Sequence, residues 1–571
     1  MQRSSGFSDG LRRARLVFDG RFLGAVLALV LAARAHAAGE EAPVAADAQK
    51  VIELTRPVST IEVGLGGFLH SANAHGNPER YYQPDRFGIG AFDLRGDQYS
   101  FGNGADDRTR WRLSGSSLGL HSRNLEGEYG QQGVYRITFG FDEQMRLRSD
   151  SYETPLLGAG STSLTLPAGF VRGADTGAMG ALAASMRRFD LRTVRHRSEV
   201  GLSYWLDPEW VVRFSLRNDA REGSKIRGAE FGSNGGNPRA LLLPEPVDSA
   251  TQLVDASIAF NGEGHHFTLA YHGSFFRNRI ASLTWQNPYS NTPWVRGATG
   301  LPANFPLNNG RIGVAPDNEF HQLALNGAYD FSSTTRLSVS ATRGRMTQSD
   351  AFLPYTVTPG LTSTALPRNS LNGLVDTSFF NARLSMRPVR NLSLAASLRY
   401  EGRDSKTPHS EYIHVGGDIQ LQPQPGSNSD RIRTNLPRSR RQGQLSLDAD
   451  YRIASALSLK AGWDRDNVRR TFAEVESATE NTYRVELRQS GAGPWTANAS
   501  LARQERRGTP YLYNLPYLAS YSSAAFINAL MAANGCLEFA SCVRLGPLQS
   551  KFYLADRDRE RARLGVGYNP D

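Results

Sequence analysis

Few residues of this chain stand at spacings that could support catalysis. Gly115-Ser116-Ser117-Leu118-Gly119 matches the G-x-S-x-G pattern of a serine nucleophile, but that pattern works only where a strand, a sharp turn and a helix follow one another. Here it lies in a strand-like stretch with no helical pattern behind it. The sequence therefore predicts no enzyme activity and assigns no catalytic residue.

The cysteines and histidines offer no metal or haem site. The chain has 2 cysteines and 11 histidines, with no HExxH, no spaced Cys/His cluster and no CxxCH for attaching a c-type haem. We expect this chain to bind no metal and no cofactor of its own. Cys536 and Cys542 lie close together in a long polar segment, and in an oxidising compartment we expect them to form one loop-closing disulfide.

Alternation of apolar and polar residues dominates the chain after residue 190. Leu457, Leu459, Ala461 and Trp463 alternate with Ser458, Lys460, Gly462 and Asp464. A strand of this kind can sit in a membrane only within a closed barrel, because lipid satisfies no unpaired backbone group. The sequence therefore predicts an all-β protein, a transmembrane antiparallel up-and-down barrel of roughly twenty or more strands. A barrel of that size has a wide lumen that must be plugged or occupied.

The predicted strands form pairs with short internal turns and long polar segments between pairs. Pairs are predicted at 199–206/210–217, 252–260/265–275, 320–331/335–345, 378–387/391–402, 443–452/456–466 and 482–489/494–505, with earlier strands near 59–68, 86–95, 108–122 and 133–147. The intervening segments are about 219–250, 277–317, 346–376, 403–440 and 506–558. This asymmetry is typical of outer-membrane barrels, whose short turns are periplasmic. A soluble β-sandwich or propeller, the alternative, would not need it.

The N-terminus has the organisation of a secretory signal peptide. Arginines precede an apolar stretch over 22–33, which is too short to span a bilayer as a helix. Ala35-His36-Ala37 is a small-x-small cleavage site. We expect cleavage between Ala37 and Ala38, a periplasmic segment over 38–58 and the barrel over 59–571. A retained membrane anchor is the alternative.

The last residues predict an unfinished strand pair. Ala562, Leu564, Val566 and Tyr568 follow the strand alternation, and Asn569-Pro570-Asp571 is turn chemistry. We therefore expect one or more further strands to belong after this point.

The net charge argues against nucleic-acid binding. The chain carries a formal +10, and residues 1–37 contribute +4 of it, so +6 belongs to the predicted mature protein. That charge is modest for this length, and the basic residues are spread over many strands instead of clustered. Most of the arginines are expected to pair with acidic residues of the barrel interior.

Residues 111–170 contain a succession of short motifs: Leu118-Gly119-Leu120-His121-Ser122-Arg123, Gly130-Gln131-Gln132-Gly133-Val134-Tyr135-Arg136, Phe141-Asp142-Glu143, Thr154-Pro155-Leu156, Gly158-Ala159-Gly160 and Leu164-Thr165-Leu166-Pro167. This succession resembles the MtrB/PioB family of outer-membrane proteins. The strand Ile61-Glu62-Val63-Gly64-Leu65-Gly66 is similar too, so specific support covers about 60–170. Two features depart from the family. The chain lacks the Cys-x-x-Cys that some members carry near the mature N-terminus, and it is shorter than typical members.

The resemblance implies a function in transmembrane, extracellular electron transfer. It implies an outer-membrane sheath around a periplasmic multihaem c-type cytochrome. The haem belongs only to that partner, and the outer surface of the sheath contacts lipid. Whether an extracellular cytochrome is a second partner is left open. The lumen-facing candidates for contact with the partner are Asn381, Arg383, Arg387, Asp448, Asp450, Arg452, Lys460, Asp464, Arg484, Glu486 and Arg488. The rival interpretation is a substrate-specific porin or receptor barrel. A porin would narrow its own lumen with an inward-folded loop, whereas a sheath would stay open.

Overall fold

The protein was analysed as a computed structural model. The structure describes residues 58–67, 86–99, 108–234, 237–289, 309–357, 363–413, 432–512 and 551–569, with single positions at 528 and 532. All described residues belong to the unit Val58–Asp571. The signal peptide with its cleavage site at Ala37, and the disulfide of Cys536 and Cys542, lie outside the described residues and stay predictions.

The described residues are almost entirely β-strands. In chain order the strands are β1 Thr60–Gly67, β2 Arg86–Tyr99, β3 Arg108–Leu118, β4 Arg123–Gln131, β5 Tyr135–Thr154, β6 Ser163–Leu164, β7 Arg187–Trp205, β8 Trp210–Asn234, β9 Asn237–Gly262, β10 His265–Asn278, β11 Ser282–Gln286, β12 Asn309–Gly313, β13 Asn318–Ser332, β14 Thr335–Gln348, β15 Gly373–Val389, β16 Leu392–Ser405, β17 Glu411–Ile413, β18 Ile432–Thr434, β19 Arg440–Ala454, β20 Leu457–Arg470, β21 Ser477–Ala492, β22 Trp495–Gly508 and β23 Arg557–Tyr568. A short α-helix, α1, covers Leu182–Ser185, and a single turn of 3-10 helix covers Thr176–Ala178. Among the described residues, no helix is long and apolar enough to cross a membrane.

Eighteen of these strands form one antiparallel sheet. Along it, each strand pairs with its neighbours in the chain, from β1–β2 to β22–β23. Within the described residues, β1 and β23 stand at the two ends of this pairing order. Strands β6, β11 and β12 form a separate small sheet, and β17 pairs with β18. The predicted all-β, antiparallel, up-and-down architecture is confirmed.

The register gives the sheet two chemically different faces. Directly paired residues point to the same side of a sheet, and Asp448 pairs with Gly462, which pairs with Arg484. One residue along, Leu447 pairs with Trp463. We call the side that carries Asp448 the charged face and the side that carries Leu447 the apolar face. The apolar face leaves large side chains exposed: Leu325 by 49%, Leu398 by 47%, Leu447 by 44%, Val485 by 48%, Leu501 by 64% and Leu564 by 80%.

The two ends of the sheet differ as the sequence predicts. At one end, the turn end, strands join through two to four residues: 206–209, 263–264, 333–334, 390–391, 455–456 and 493–494. At the other end, the loop end, most connections are long, among them the stretches after β5, β10, β14, β16 and β22. The predicted turns fall within one or two residues of the observed ones.

Several sequence predictions were wrong in detail at the loop end. The segment 219–250, predicted as a loop, continues β8 and β9 as one long hairpin. The predicted strand 108–122 is broken by a turn in which the Leu120 amide donates to the Ser117 carbonyl at 3.1 Å. Gly119 has φ +91°, and a Cβ there would lie 2.5 Å from the Gly88 carbonyl oxygen. This turn therefore requires glycine, because other residues rarely adopt that backbone conformation.

A compact hydrophobic cluster forms at the loop end. Leu156, Leu164, Leu243 and Leu283 are at most 1% exposed and pack with Trp285. The Tyr152 hydroxyl donates to the Leu242 carbonyl at 2.7 Å, and burial raises the pKa of this phenol. We call this group the loop cluster. It joins the hairpin of β8 and β9 to the small sheet of β6, β11 and β12.

Candidate functional site

The charged face of β19, β20 and β21 is the part of the sheet best equipped to bind a polar partner. The strand alternation places its charges on one side, and the register brings them within contact distance. Arg484 donates to Asp448 at 3.1 Å and contacts Asp464 at 3.0 Å, and Lys460 lies 3.6 Å from Asp450. Arg484 is 47% exposed, as is Asp448. Solvent therefore screens these pairs, and each contributes at most about 1 kcal/mol to stability.

The structure brings most of the predicted partner-contact residues to this same face. Pairing places these residues opposite other charged-face positions: Asn381 opposite Ser340, Arg383 opposite Ser338, Arg452 opposite Ser458, Lys460 opposite Asp450 and Glu486, and Arg488 opposite Ser458. Arg387 lies where the register between β15 and β16 shifts, between Met386 and Val389, and it lines the same cavity on this face as Arg383 and Lys460. Its backbone amide donates to the Thr334 carbonyl at 2.9 Å, at the turn end. Contact with a partner stays a prediction for all eleven residues.

The predicted residues divide into paired and unpaired charges. Asp448, Asp464 and Arg484 satisfy one another, as do Asp450 and Lys460. In contrast, Arg383, Glu486 and Arg488 form no ion pair with any residue that the structure describes. The unpaired group keeps its hydrogen-bonding capacity for another molecule. Most arginines were expected to pair with acidic residues of the barrel interior, and Arg484 does so.

Sequence reasoning missed a row of arginines on β23. Arg559 pairs with Gln504, Arg561 with Ala502 and Arg563 with Ser500, so all three lie on the charged face beside Arg484. They are exposed and form no ion pair within the described part of the chain. The signal was present as three arginines at alternate positions, since residues two apart share a face.

The residues with possible catalytic spacing do not assemble into a catalytic site. Ser116 is the last residue of β3 that pairs with β4, and the turn that follows leads into β4, not into the helix that a nucleophile elbow needs. In the described residues, no three His, Cys, Asp or Glu side chains lie together as a metal site.

Comparison with known proteins identifies the family. The sequence model of the family described as "outer membrane beta-barrel porin, MtrB/PioB" matches residues 88–571. The chain belongs to the MtrB/PioB family. It is an outer-membrane protein, and the matched region extends well beyond residues 88–170, the part of the 60–170 resemblance that lies within it.

Individual relatives are more distant. The chain is 26% identical over 453 residues to outer membrane protein MtrB of Shewanella baltica (strain OS185), covering 79% of this chain and 57% of that protein. It therefore spans less than two thirds of this relative's length. Among solved structures, the siderophore receptor PiuA from Acinetobacter baumannii is 12% identical with a TM-score of 0.33, covering 75% of this chain and 63% of that one. OmpT of Vibrio cholerae is 10% identical with a TM-score of 0.23, covering 67% and 79%.

Membership of an outer-membrane family indicates which face of the sheet meets lipid and which faces the lumen. In such barrels the apolar face meets lipid and is bordered by aromatic girdles at both interfaces. Toward the turn end, the apolar face carries Tyr204, Phe260, Phe267, Tyr329, Tyr451, Trp495 and Tyr568. Toward the loop end it carries Tyr271, Phe380, Tyr400, Trp463 and Tyr483. Rings contact one another in the turn-end girdle, where Trp495 and Tyr568 have centroids 4.6 Å apart.

Proposed function

We propose that this protein is a sheath that holds a periplasmic multihaem c-type cytochrome across the outer membrane for electron transfer through that membrane. Membership of the MtrB/PioB family supports this function, as does the likeness to a protein named MtrB. The observation that carries the proposal is the continuous charged face, which lies back to back with a lipid-compatible apolar face. This arrangement suits a wall between lipid and a polar protein.

Physical chemistry explains why such a wall is needed. Electrons do not cross about 30 Å of hydrocarbon without intermediate redox centres, so a chain of haems has to pass through the bilayer. The surface of a cytochrome is polar and cannot contact lipid without a large desolvation cost. A sheet of eighteen strands is in the size range where barrels enclose an aqueous channel or a plugged lumen instead of filling with their own side chains. The partner would occupy that lumen.

The unpaired arginines of the charged face would supply the contacts. Arg383, Arg488, Arg559, Arg561 and Arg563 can donate to carboxylates, including haem propionates at the partner's surface. A guanidinium presents two parallel N–H donors that match a carboxylate. Each wet contact contributes about 0.5–1.5 kcal/mol, so binding would depend on many residues together. This chain contains no CxxCH, and in this proposal the haems belong to the partner.

Co-purification tests this function. Full-length tagged protein extracted from native membranes in mild detergent should carry a multihaem c-type cytochrome, seen by haem staining and absorbance. Replacing the unpaired Arg383, Glu486 and Arg488 together by Gln should lower the recovered haem several-fold. The matched control replaces by Gln the residues Arg503, Glu505 and Arg507, which carry the same charges on the apolar side of the sheet at the loop end. It should keep wild-type haem recovery. A barrel that never carries haem protein would refute the proposal.

A porin or receptor function is the second candidate, and the loop cluster is the observation that favours it. Leu241, Leu243 and Ala229 share a face with Arg227 and Glu245, so the loops pack on the charged side of the β8–β9 hairpin. However, Ala229 lies 13 residues beyond Leu216, a lipid-facing position. At about 3.3 Å per residue, the loop cluster is roughly 40 Å farther along the strand. The loop cluster therefore does not narrow the part of the wall that crosses the membrane.

A further inference from the structure

Basic side chains collect on the outward side of the sheet just beyond the loop-end aromatic girdle. They occupy positions on the apolar face. Each lies beyond the girdle, one to three outward-facing positions along its strand from the level of Phe380, Tyr400 or Trp463. We call them the basic belt: Arg343, Arg345, Lys406, Arg441, Arg465 and Arg469. The acidic residues within contact distance of the basic belt are Asp376 and Asp404. The basic belt thus carries four more positive than negative charges.

A single buried carboxylate organises half of the basic belt. Asp376 is 2% exposed and contacts Arg345 at 2.9 Å, Arg343 at 3.3 Å and Lys406 at 2.7 Å. The three cations are themselves 49–63% exposed. One carboxylate cannot neutralise three cations, so their outer surfaces keep positive charge and free N–H donors.

The other half of the basic belt places like charges side by side. Arg441 and Arg469 are directly opposed on β19 and β20, an arrangement that destabilises a sheet unless an anion lies between the charges. Arg441 reaches only Asp404, at 3.6 Å. Arg465 and Arg469 form no ion pair with a residue that the structure describes. In the same transverse row, Ser378 and Gly402 separate Arg343 from Arg441. A Cβ at Gly402 would lie 3.0 Å from the Tyr400 hydroxyl, so this phenol of the girdle lies in the row between the two arginines.

The positive surplus is local to β14–β20. At the same level on β22 and β23, Arg503 contacts Glu505 at 2.5 Å and Glu560 at 3.7 Å, and Arg507 contacts Asp558 at 2.7 Å. That neighbouring stretch is neutral to acidic. Ordinary surface solvation would not concentrate this surplus of positive charge on β14–β20 and leave β22 and β23 without one.

We propose that the basic belt binds the phosphate groups of lipid headgroups in the outer leaflet. The loop end of an outer-membrane barrel is extracellular, and its girdle marks the lipid interface. A residue just beyond the girdle and pointing outward therefore meets headgroups. Guanidinium groups bind phosphate bidentately, and basic residues near an anionic lipid surface are attracted to it. The proposal rests on the family and on the two faces, and does not depend on a cytochrome partner.

Lipid binding to the full chain in detergent tests the proposal, with diphosphorylated lipid A and its dephosphorylated form as probes. Native mass spectrometry should show wild-type protein retaining the diphosphorylated lipid and not the dephosphorylated one. Replacing Arg343, Arg345, Arg441 and Arg469 by Gln should weaken binding at least about tenfold. The control variant R503Q/R507Q removes two ion-paired arginines from the same side of the sheet. It should bind the diphosphorylated lipid as wild type does.

Three results would overturn the proposal: equal binding by the four-fold variant, equal binding of the dephosphorylated lipid, or displacement of the lipid by millimolar inorganic phosphate, which would indicate a site for a free anion. If the four-fold variant does not fold, the double variant R441Q/R469Q and a salt titration of wild type take its place. Binding that is insensitive to ionic strength would then contradict the proposal, because exposed charge contacts are screened by salt.

Discussion

At the residue scale, the sequence predicted which side of a strand each charge occupies but not which charges meet. Period-2 alternation alone places Asp448, Asp464 and Arg484 on one face. Their contact depends on register across three strands, which no local pattern specifies. The same limit explains the basic belt: Arg441 and Arg469 lie 28 positions apart in sequence and become neighbours only through the pairing of β19 with β20.

A double-mutant cycle tests the pairing on the charged face. Arg484→Gln combined with Asp448→Asn should show a coupling of about 0.2–1 kcal/mol in the free energy of unfolding in lipid, because the two groups are exposed and screened. The pair Arg488→Gln and Asp448→Asn should show none, since Arg488 forms no ion pair in the described residues. Denaturant titration monitored by tryptophan fluorescence gives the four free energies of each cycle. Zero coupling for the first pair would contradict the contact at 3.1 Å.

At the element scale, turns were predictable and the loop-end halves of strands were not. Short turns were visible because apolar alternation resumes immediately on both sides of them. Toward the loop end, outward positions become polar, as at Asn467 and Arg469 on β20, so alternation disappears while the backbone ladder to β21 continues. Backbone hydrogen bonds between strands do not depend on side-chain type, so the composition of a segment does not reveal them. The hairpin of β8 and β9 was mistaken for a loop for this reason.

The border between apolar and polar outward residues runs diagonally across the strands, which gives their tilt. On β19 the last apolar outward residue is Leu445, whose pairing row reaches Asp558 on β23. On β23 the last apolar outward residue is Ala562, which lies in the same row of paired residues as Ala449 on β19. The border therefore shifts four residues over four strand spacings. With about 3.4 Å per residue and 4.8 Å between strands, the strands tilt by about 35°, within the range of membrane barrels.

Arginine substitutions along β21 test this membrane placement. Val485→Arg puts a charge on the apolar face within the lipid region and should cost about 2–4 kcal/mol. Asn481→Arg, on the same strand and face but beyond Tyr483, should cost about 0–1 kcal/mol because it lies at the interface. Glu486→Arg, on the charged face, controls for the added side chain itself. Unfolding free energies measured in lipid vesicles decide the question, and equal costs at positions 481 and 485 would contradict the assigned faces.

At the scale of the whole molecule, the architecture followed from the sequence because a membrane leaves few alternatives. Strands with one apolar and one polar face need a closed barrel, and their turn asymmetry sets the orientation. The occupant of the lumen could not be derived in this way. The charged face favours contact with a polar molecule. However, arginines such as Arg561 and Arg563 can donate hydrogen bonds to the carboxylates of any acidic partner. Only the family resemblance indicates that the partner is a cytochrome.

Reconstitution in liposomes separates the sheath from the porin. The barrel with its co-purified partner should pass electrons from an external reductant to an enclosed acceptor, whereas either protein alone should not. The barrel alone provides no redox centres in this proposal, and the cytochrome alone has no route through lipid. Absorbance of the enclosed acceptor reports the transfer, and liposome swelling in small sugars reports solute flow. If the barrel with its partner admits small sugars freely and transfers no electrons, the porin function is supported instead, because a lumen filled by a docked protein has no room for bulk solute flow.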